Sequence, residues 1–354
     1  MNDKELVICT ADEARERAGV AAQAPVLAQR LRERGARAVC IVGARAGLDW
    51  LDTEQARGWL AGPAQSAVAF AAAMRQALAQ GFVAADAAIV AKMPDPFVLP
   101  LLSWGEQPPP LPPSPSGGGP GWGRSRRLDL YAIVDSAARL RQVLAAGVRT
   151  VQLRIKKPPT PDAAWHALLR AEVQQAIDDS AVAGAELFVN DHWQLAQELG
   201  APGVHLGQED LLALGEEGRA RLRASGMALG VSSHSLWELA RARTLSPRYI
   251  ACGPVWPTLT KDMPWLPQGM DNLAWWCRAA QAPITAIGGI LAPHQVQEVA
   301  RTGCDGVCIV RGLGDDPRAT VPAFEAALQA GRRQPAFDAP QWPHPSLPGT
   351  SQVG

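Results

Sequence analysis

In the second part of the chain, apolar residues fall into short runs separated by stretches of helical length, and eight such runs follow Leu128. They are "LDLYAIVD" (Leu128 to Asp135), "TVQLRIK" (Thr150 to Lys156), "ELFVND" (Glu186 to Asp191), "GVHLGQ" (Gly203 to Gln208), "ALGVSS" (Ala228 to Ser233), "YIACGPV" (Tyr249 to Val255), "ITAIGGI" (Ile284 to Ile290) and "GVCIVRG" (Gly306 to Gly312). Short apolar runs that end in polar residues read as buried strands of a parallel sheet, each delivering polar groups at its C-terminal edge. Eight strands alternating with helices over roughly 200 residues predict a (β/α)8 barrel, in which the residues just past every strand face one mouth. Within "QLRIK", alternation predicts Gln152, Arg154 and Lys156 on the lumen side and Leu153 and Ile155 on the other.

The first hundred residues read differently. Their pattern predicts a helix around Ala22 to Arg34, a strand at "AVCIVG" (Ala38 to Gly43), and helices near Ala64 to Gln80 and Ala84 to Lys92. Between the two parts lies "SWGEQPPPLPPSPSGGGPGWGRSRR" (Ser103 to Arg127), where proline and glycine crowd out aliphatic residues. Such a stretch buries too little apolar surface to offset its ordering entropy and is expected to be a linker. The expected organisation is a small α/β domain over 1–102, the linker over 103–127, a TIM barrel over 128–333, and a proline-rich, aperiodic tail over 334–354, expected to be disordered.

Composition narrows the class of ligand. Lys and Arg together number 34, as do Asp and Glu, in 354 residues. With no net field to draw nucleic acid or an anionic membrane, any anion binding must be local. The six cysteines lack paired C-x-x-C spacing and read as buried thiols. The N-terminal stretch lacks a basic region followed by a long apolar one, and no run approaches the length of a membrane span; the expectation is a cytoplasmic protein.

The strand ends carry the candidate chemistry. Placed around one mouth, they gather Gln152, Arg154, Lys156, Asn190, Asp191, His205, Asp210, Ser232, Thr258, Thr260 and Lys261. Carboxylates and cations at one face suit a metal-bound diphosphate, since Mg²⁺ takes one or two carboxylates plus phosphate oxygens and water. The competing reading pairs Arg154 and Lys156 with Asp191 and Asp210 as structural ions. "IGGI" (Ile287 to Ile290) and Gly312 lie where such barrels often bind phosphate through backbone N–H groups. In "GPVWPTLTK" (Gly253 to Lys261), Thr258 and Thr260 supply hydroxyls and Lys261 a point charge. His192 and His205 read as satisfied structural imidazoles, and Trp256, Trp265, Trp275 and Trp276 as packing against the barrel.

From Leu128 to about Ala330 the chain resembles the thiamine phosphate synthase family, on "QLRIK", "NDHWQLA", "GVHLGQED", "LGVSSH", "GPVWPTLTK", "PQG" and "AIGGI" in order. The resemblance implies a (β/α)8 barrel that joins 4-amino-2-methyl-5-(diphosphooxymethyl)pyrimidine to 4-methyl-5-(2-phosphoethyl)thiazole, releasing diphosphate with one Mg²⁺ per active site. It implies that Gln152, Leu153, Arg154, Ile155, Lys156, Asn190, Ser232 and Lys261 hold the pyrimidine diphosphate. Asp191 and Asp210 would bind Mg²⁺, and Thr258, Leu259, Thr260, Gly289, Val310 and Arg311 the thiazole phosphate. Arg154, Lys156 and Lys261 would stabilise the departing diphosphate. Arg311 stands where the family usually has Ser. The partners implied are these two small molecules, without nucleic acid or membrane; a homo-oligomer and docking of a separate pyrimidine kinase stay open. So do two alternatives: a thiazole tautomerase-like or regulatory member of the same fold, and a non-catalytic precursor sensor. The retained "QLRIK", Asp191, Asp210 and "TLTK" favour the synthase. On "GARAVCIVG" followed by "DWLD" and "GPAQSAVAFAAAMRQALAQGFVAADAAIVAKM", the first unit resembles the C-terminal third of hydroxymethylpyrimidine kinases, a ribokinase-like group. It departs at Gly62 to Gln65, where that family has a Gly-Thr-Gly-Cys anion hole, and is expected to be a non-catalytic remnant or docking domain.

Overall fold

The computed structural model describes residues 5–110, 127–258 and 264–348. The first unit is a five-stranded sheet between helices, built from β1 (Leu6–Thr10), α1 (Ala11–Ala18), α2 (Ala24–Glu33), β2 (Ala38–Arg45), β3 (Leu48–Thr53), β4 (Arg57–Ala61), α3 (Ala67–Ala79), α4 (Ala84–Lys92) and β5 (Leu101–Leu102). The strands lie in chain order; β1 and β2 are parallel and the remaining neighbours antiparallel. Alternation along the strands explains the two layers. Val7, Cys9, Val39 and Ile41 pack with α1 and α2, while Leu6, Ala38, Cys40 and Val42 pack with Phe70, Met74 and Ile89 of α3 and α4. The sequence pattern finds α2, β2, α3 and α4 but not β1, α1, the β3–β4 hairpin or β5.

The barrel strands are β6 (Asp129–Val134), β7 (Thr150–Leu153), β8 (Glu186–Asn190), β9 (Gly203–Leu206), β10 (Ala228–Ser233), β11 (Tyr249–Cys252), β12 (Ile284–Ala286) and β13 (Gly306–Ile309). They are the eight expected runs. Each pairs in parallel with the next, and β13 closes on β6. Around them run α5 (Ala137–Ala145), α6 (Ala163–Ala183), α7 (Trp193–Glu198), α8 (Gln208–Ala213), α9 (Gly215–Ala224), α10 (Leu236–Ala242), α11 (Gly269–Ala279), α12 (Pro293–Ala300) and α13 (Pro317–Arg333). No helix among the described residues is long and apolar enough to cross a membrane.

The two units share buried surface rather than merely a linker. The Asp86 carboxyl group on α4 accepts the Trp237 backbone N–H at 3.0 Å, at the start of α10. Arg241 donates to the carbonyls of Arg57 (2.7 Å) and Ser103 (3.3 Å), and Arg243 to that of Leu99 (2.6 Å). Trp104 donates its indole N–H to Thr244 Oγ1 at 3.0 Å. Residues 103–106, expected within the linker, thus belong to the rim of the small sheet: Ser103 Oγ accepts from Trp59 N, and the Glu106 carbonyl accepts from Trp59 Nε1, each at 2.7 Å. The tail also departs from expectation through residue 348. Phe337 N donates to the Arg301 carbonyl (2.9 Å), His344 and Asn272 exchange two hydrogen bonds, and Leu266 N donates to the Ser346 carbonyl (2.9 Å). Its lack of periodicity hid this packing, which uses individual backbone groups and a buried Ser346 rather than a helix or strand face.

Candidate active site

A cavity of about 450 Å³ opens at the C-terminal ends of the barrel strands. That volume suits a small organic ligand. Its floor is aromatic and neutral, formed by Tyr131, Gln152, Tyr249, Ala251 and Cys308, and its rim carries Arg154, Asp191, Glu209, Asp210 and Arg311. Of the expected site residues, the cavity brings together Gln152, Arg154, Asn190, Asp191, Asp210, Ser232, Thr258, Gly289, Val310 and Arg311. Leu259, Thr260 and Lys261 lie outside the described residues.

Three expected residues are elsewhere. Pairing of β7 with β8 ends at Leu153, opposite Val189, so alternation no longer dictates where later side chains point. Arg154 still reaches the cavity, tied by its N–H to the Val134 carbonyl at 2.7 Å, whereas Lys156 is exposed and does not line it. Leu153 is buried in the core, and Ile155 is half-buried with its carbonyl 3.0 Å from His192 Nε2.

The rim charges are not spent on each other. Among the described residues, Arg154, Arg311, Asp191 and Asp210 form no ion pair within 4.0 Å, so the structural-ion reading fails there. Asp191 follows β8 directly and holds a left-handed backbone, φ 63°, that Asp and Asn tolerate better than most residues. Loss of solvation pushes its carboxyl pKa up, the Asp210 charge pushes the same way, and Arg154 opposes both. Asp210 sits in the first turn of α8 and accepts the Gly207 N–H at 3.1 Å. On the opposite wall, Gly289 is at φ 75°, and a Cβ there would lie 2.6 Å from Trp256 Cβ, so only glycine allows this close approach.

Sequence reasoning missed part of the wall. His234 stacks on Trp265 with ring centres 5.1 Å apart, and its Nδ1 lies 3.0 Å from Glu238 Oε2 at the start of α10. Trp265 packs against the core as expected and also lines the cavity, while Trp275 and Trp276 are fully buried. His205 is buried between Tyr249 and Ser232, a satisfied imidazole held neutral: burial, then the charges of Arg154 and His234, depress its pKa to about 3. The signal for Tyr131 and Tyr249 was rarity, since they are the only tyrosines in the chain and each interrupts an apolar strand.

A closed parallel barrel that gathers cations, carboxylates and a cavity at the C-terminal ends of its strands defines a (β/α)8-barrel enzyme. The family model described as thiamine monophosphate synthase matches residues 130–313, which is most of that barrel. Relatives called thiamine-phosphate synthase include one from Rhizobium etli, 42% identical over 210 residues, covering 58% of this chain and 98% of its own. One from Yersinia pestis is 43% identical over 189 residues, covering 53% and 83%, and one from Neisseria meningitidis is 40% identical over 203 residues, covering 56% and 94%. The chain belongs to the thiamine monophosphate synthase family, and with it to the transferases of thiamine biosynthesis.

Proposed function

We propose that the cavity joins the pyrimidine diphosphate to the thiazole phosphate, giving thiamine phosphate and diphosphate, and that Asp191 and Asp210 hold one Mg²⁺ against the departing group. The observation that carries this reading is the set of unpaired charges at the rim: Arg154 and Arg311 as cations, and two carboxylates near enough for Asp210 to raise the Asp191 pKa. The carboxylate pair fits a magnesium ion. Mutual repulsion in a partly desolvated site is relieved by a divalent cation, and Mg²⁺ accepts one or two carboxylates while taking its other ligands from phosphate and water. Among the described residues no cluster of three or more His, Cys, Asp or Glu forms a protein-only cage, which this ion does not require. When bound, it supplies positive charge to the leaving diphosphate.

The chain's own groups do the rest. Arg154 would face the diphosphate with a planar guanidinium that can grip two oxygens at once. Asn190 and Ser232 offer neutral hydrogen-bonding groups beside it, and Gln152 lies deeper, next to the aromatic floor. Thr258, Gly289, Val310 and Arg311 line the opposite side, where the thiazole phosphate would lie. Arg311 in place of the family's Ser adds a cation there. The thiazole nitrogen already has a lone pair, so no side chain has to remove a proton before the carbon–nitrogen bond forms. Lys261, from its place in the sequence, would join Arg154 at the diphosphate.

A magnesium titration with both substrates saturating tests the metal assignment. Turnover should vanish with a chelator, return with Mg²⁺, and require markedly more Mg²⁺ in Asp191→Asn. An unaltered magnesium requirement in that variant would remove Asp191 from the metal site.

A further inference from the structure

At the cavity floor, side chains from five strands form one continuous hydrogen-bonded line. Gln152 Nε2 (β7) donates to the Tyr131 hydroxyl (β6) at 2.9 Å, and the hydroxyls of Tyr131 and Tyr249 (β11) are 2.6 Å apart. The Tyr249 hydroxyl lies 2.7 Å from His205 Nδ1 (β9), and His205 Nε2 lies 2.8 Å from Ser232 Oγ (β10). Both tyrosines are fully buried, and Gln152 and His205 nearly so. Water therefore has little access to the middle of the line.

Each hydroxyl carries one proton, and so does a neutral imidazole. With the Gln152 amide donating into Tyr131, the arrangement in which every hydroxyl donates once along the line sends the Tyr131 proton to Tyr249 and the Tyr249 proton to His205 Nδ1. His205 then carries its own proton on Nε2 and gives it to Ser232. The same direction puts the more acidic O–H, a phenol, onto the imidazole nitrogen, the best acceptor in the line. Ser232 has now accepted a hydrogen bond and retains its own O–H, and it lines the cavity.

We infer that Tyr249 and His205 are positioning residues that fix Ser232 as a hydrogen-bond donor into the cavity, so that the site selects a ligand with a neutral acceptor atom at that point. The surroundings say which acceptor. Tyr131, Tyr249, Ile133, Ala251 and Ile287 make the floor aromatic and uncharged, while the cations sit at the rim. A ring nitrogen of a flat heteroaromatic suits that position better than a phosphate oxygen. On the reading given under Proposed function, on which this last step rests, it is a nitrogen of the aminopyrimidine.

The chain has six histidines, so the tautomer of His205 can be read directly by long-range proton–nitrogen correlation on histidine-labelled protein, with His205→Gln identifying the signal. The expected result is a ring protonated on Nε2 and not on Nδ1. Protonation on Nδ1 in the wild type would reverse the line and overturn the inference, whatever the enzyme's substrates. Tyr249→Phe keeps the ring and removes the link. It should yield a mixed or Nδ1-protonated His205 and raise the KM for the pyrimidine diphosphate about tenfold, roughly one hydrogen bond's worth, with the KM for the thiazole phosphate at its wild-type value. An unchanged pyrimidine KM alongside a switched tautomer would refute the link to substrate choice while leaving the function of the cavity intact.

Discussion

Replacing Gly230 by alanine tests the packing of the barrel floor with a single carbon. An ideal Cβ there lies 2.6 Å from Tyr249 Cε1, with Cζ and the hydroxyl closer still. Ordinary carbon–carbon contacts are about 3.5–4.0 Å, so the ring has to retreat by roughly 1 Å. It is held on several sides: its hydroxyl is fixed between Tyr131 at 2.6 Å and His205 at 2.7 Å, and Phe188 meets it edge-on with ring centres 5.0 Å apart. Overpacking of this kind costs about 1–3 kcal/mol, and loss of two hydrogen bonds adds about 1 kcal/mol each, for a total of about 3–5 kcal/mol. In a domain of this size each kcal/mol lowers Tm by about 2–4 °C, so the variant should melt roughly 6–20 °C lower. Calorimetry reads the shift, and steady-state kinetics should show a raised KM for the pyrimidine diphosphate. A variant that melts within about 2 °C of wild type with unchanged KM would refute both the packing and its connection to the site.

Asp191→Asn keeps a residue that tolerates the left-handed backbone; an alanine there would add about 1–2 kcal/mol of strain and confuse the result. With the metal ligand weakened, kcat should fall at least about a hundredfold, some 2.7 kcal/mol, while circular dichroism stays native; near-normal turnover would contradict the assignment. In the first unit, Lys92 and Asp49 form a buried ion pair at 2.6 Å, with side chains 1% and 4% exposed. Lys92→Met leaves the Asp49 charge with the Gly43 N–H as its described partner and should destabilise that unit by about 3–5 kcal/mol in chemical denaturation, with Asp49→Asn in the same chain restoring part of it. Burial, with Glu238 adding to it, raises the Asp86 pKa from 3.8 to about 8, opposed by the N–H groups of Trp237 and Leu236. A folded-state pKa above the unfolded one means that the contribution is complete below about pH 4 and is lost as pH rises through about 8. Asp86→Asn cannot titrate, so its stability relative to wild type should climb between those values; a pH-independent difference would count against the shift.

Much of this molecule was legible in its residue pattern, for physical reasons. Each barrel strand is buried on both faces, so each appears as a short apolar run, and a closed sheet forces the ends of all eight to one side. That is why Asp191 and Asp210, distant from Gln152 in sequence, could be placed beside it. The alternation rule failed at Lys156 because it depends on strand pairing, which ends at Leu153. His234, Glu238 and Trp265 were not legible, because their place in the wall depends on how α10 packs against the segment before α11. The β3–β4 hairpin was hidden by its composition: "LDWLDT" and "RGWLA" place charged residues among the apolar ones, and two of them, Asp49 and Asp52, are buried with Lys92, Arg32 and Arg57 as partners. Docking of the first unit on α10 rests on arginine-to-carbonyl bonds, which leave no periodic trace.

On the proposed function, this cavity makes a bond rather than only holding its ligands. The direct measurement supplies the purified chain with the pyrimidine diphosphate, the thiazole phosphate and Mg²⁺, and follows thiamine phosphate and diphosphate together. Both are expected in equal amounts, and neither when one substrate is withheld. Tight binding of both substrates with no thiamine phosphate would contradict it.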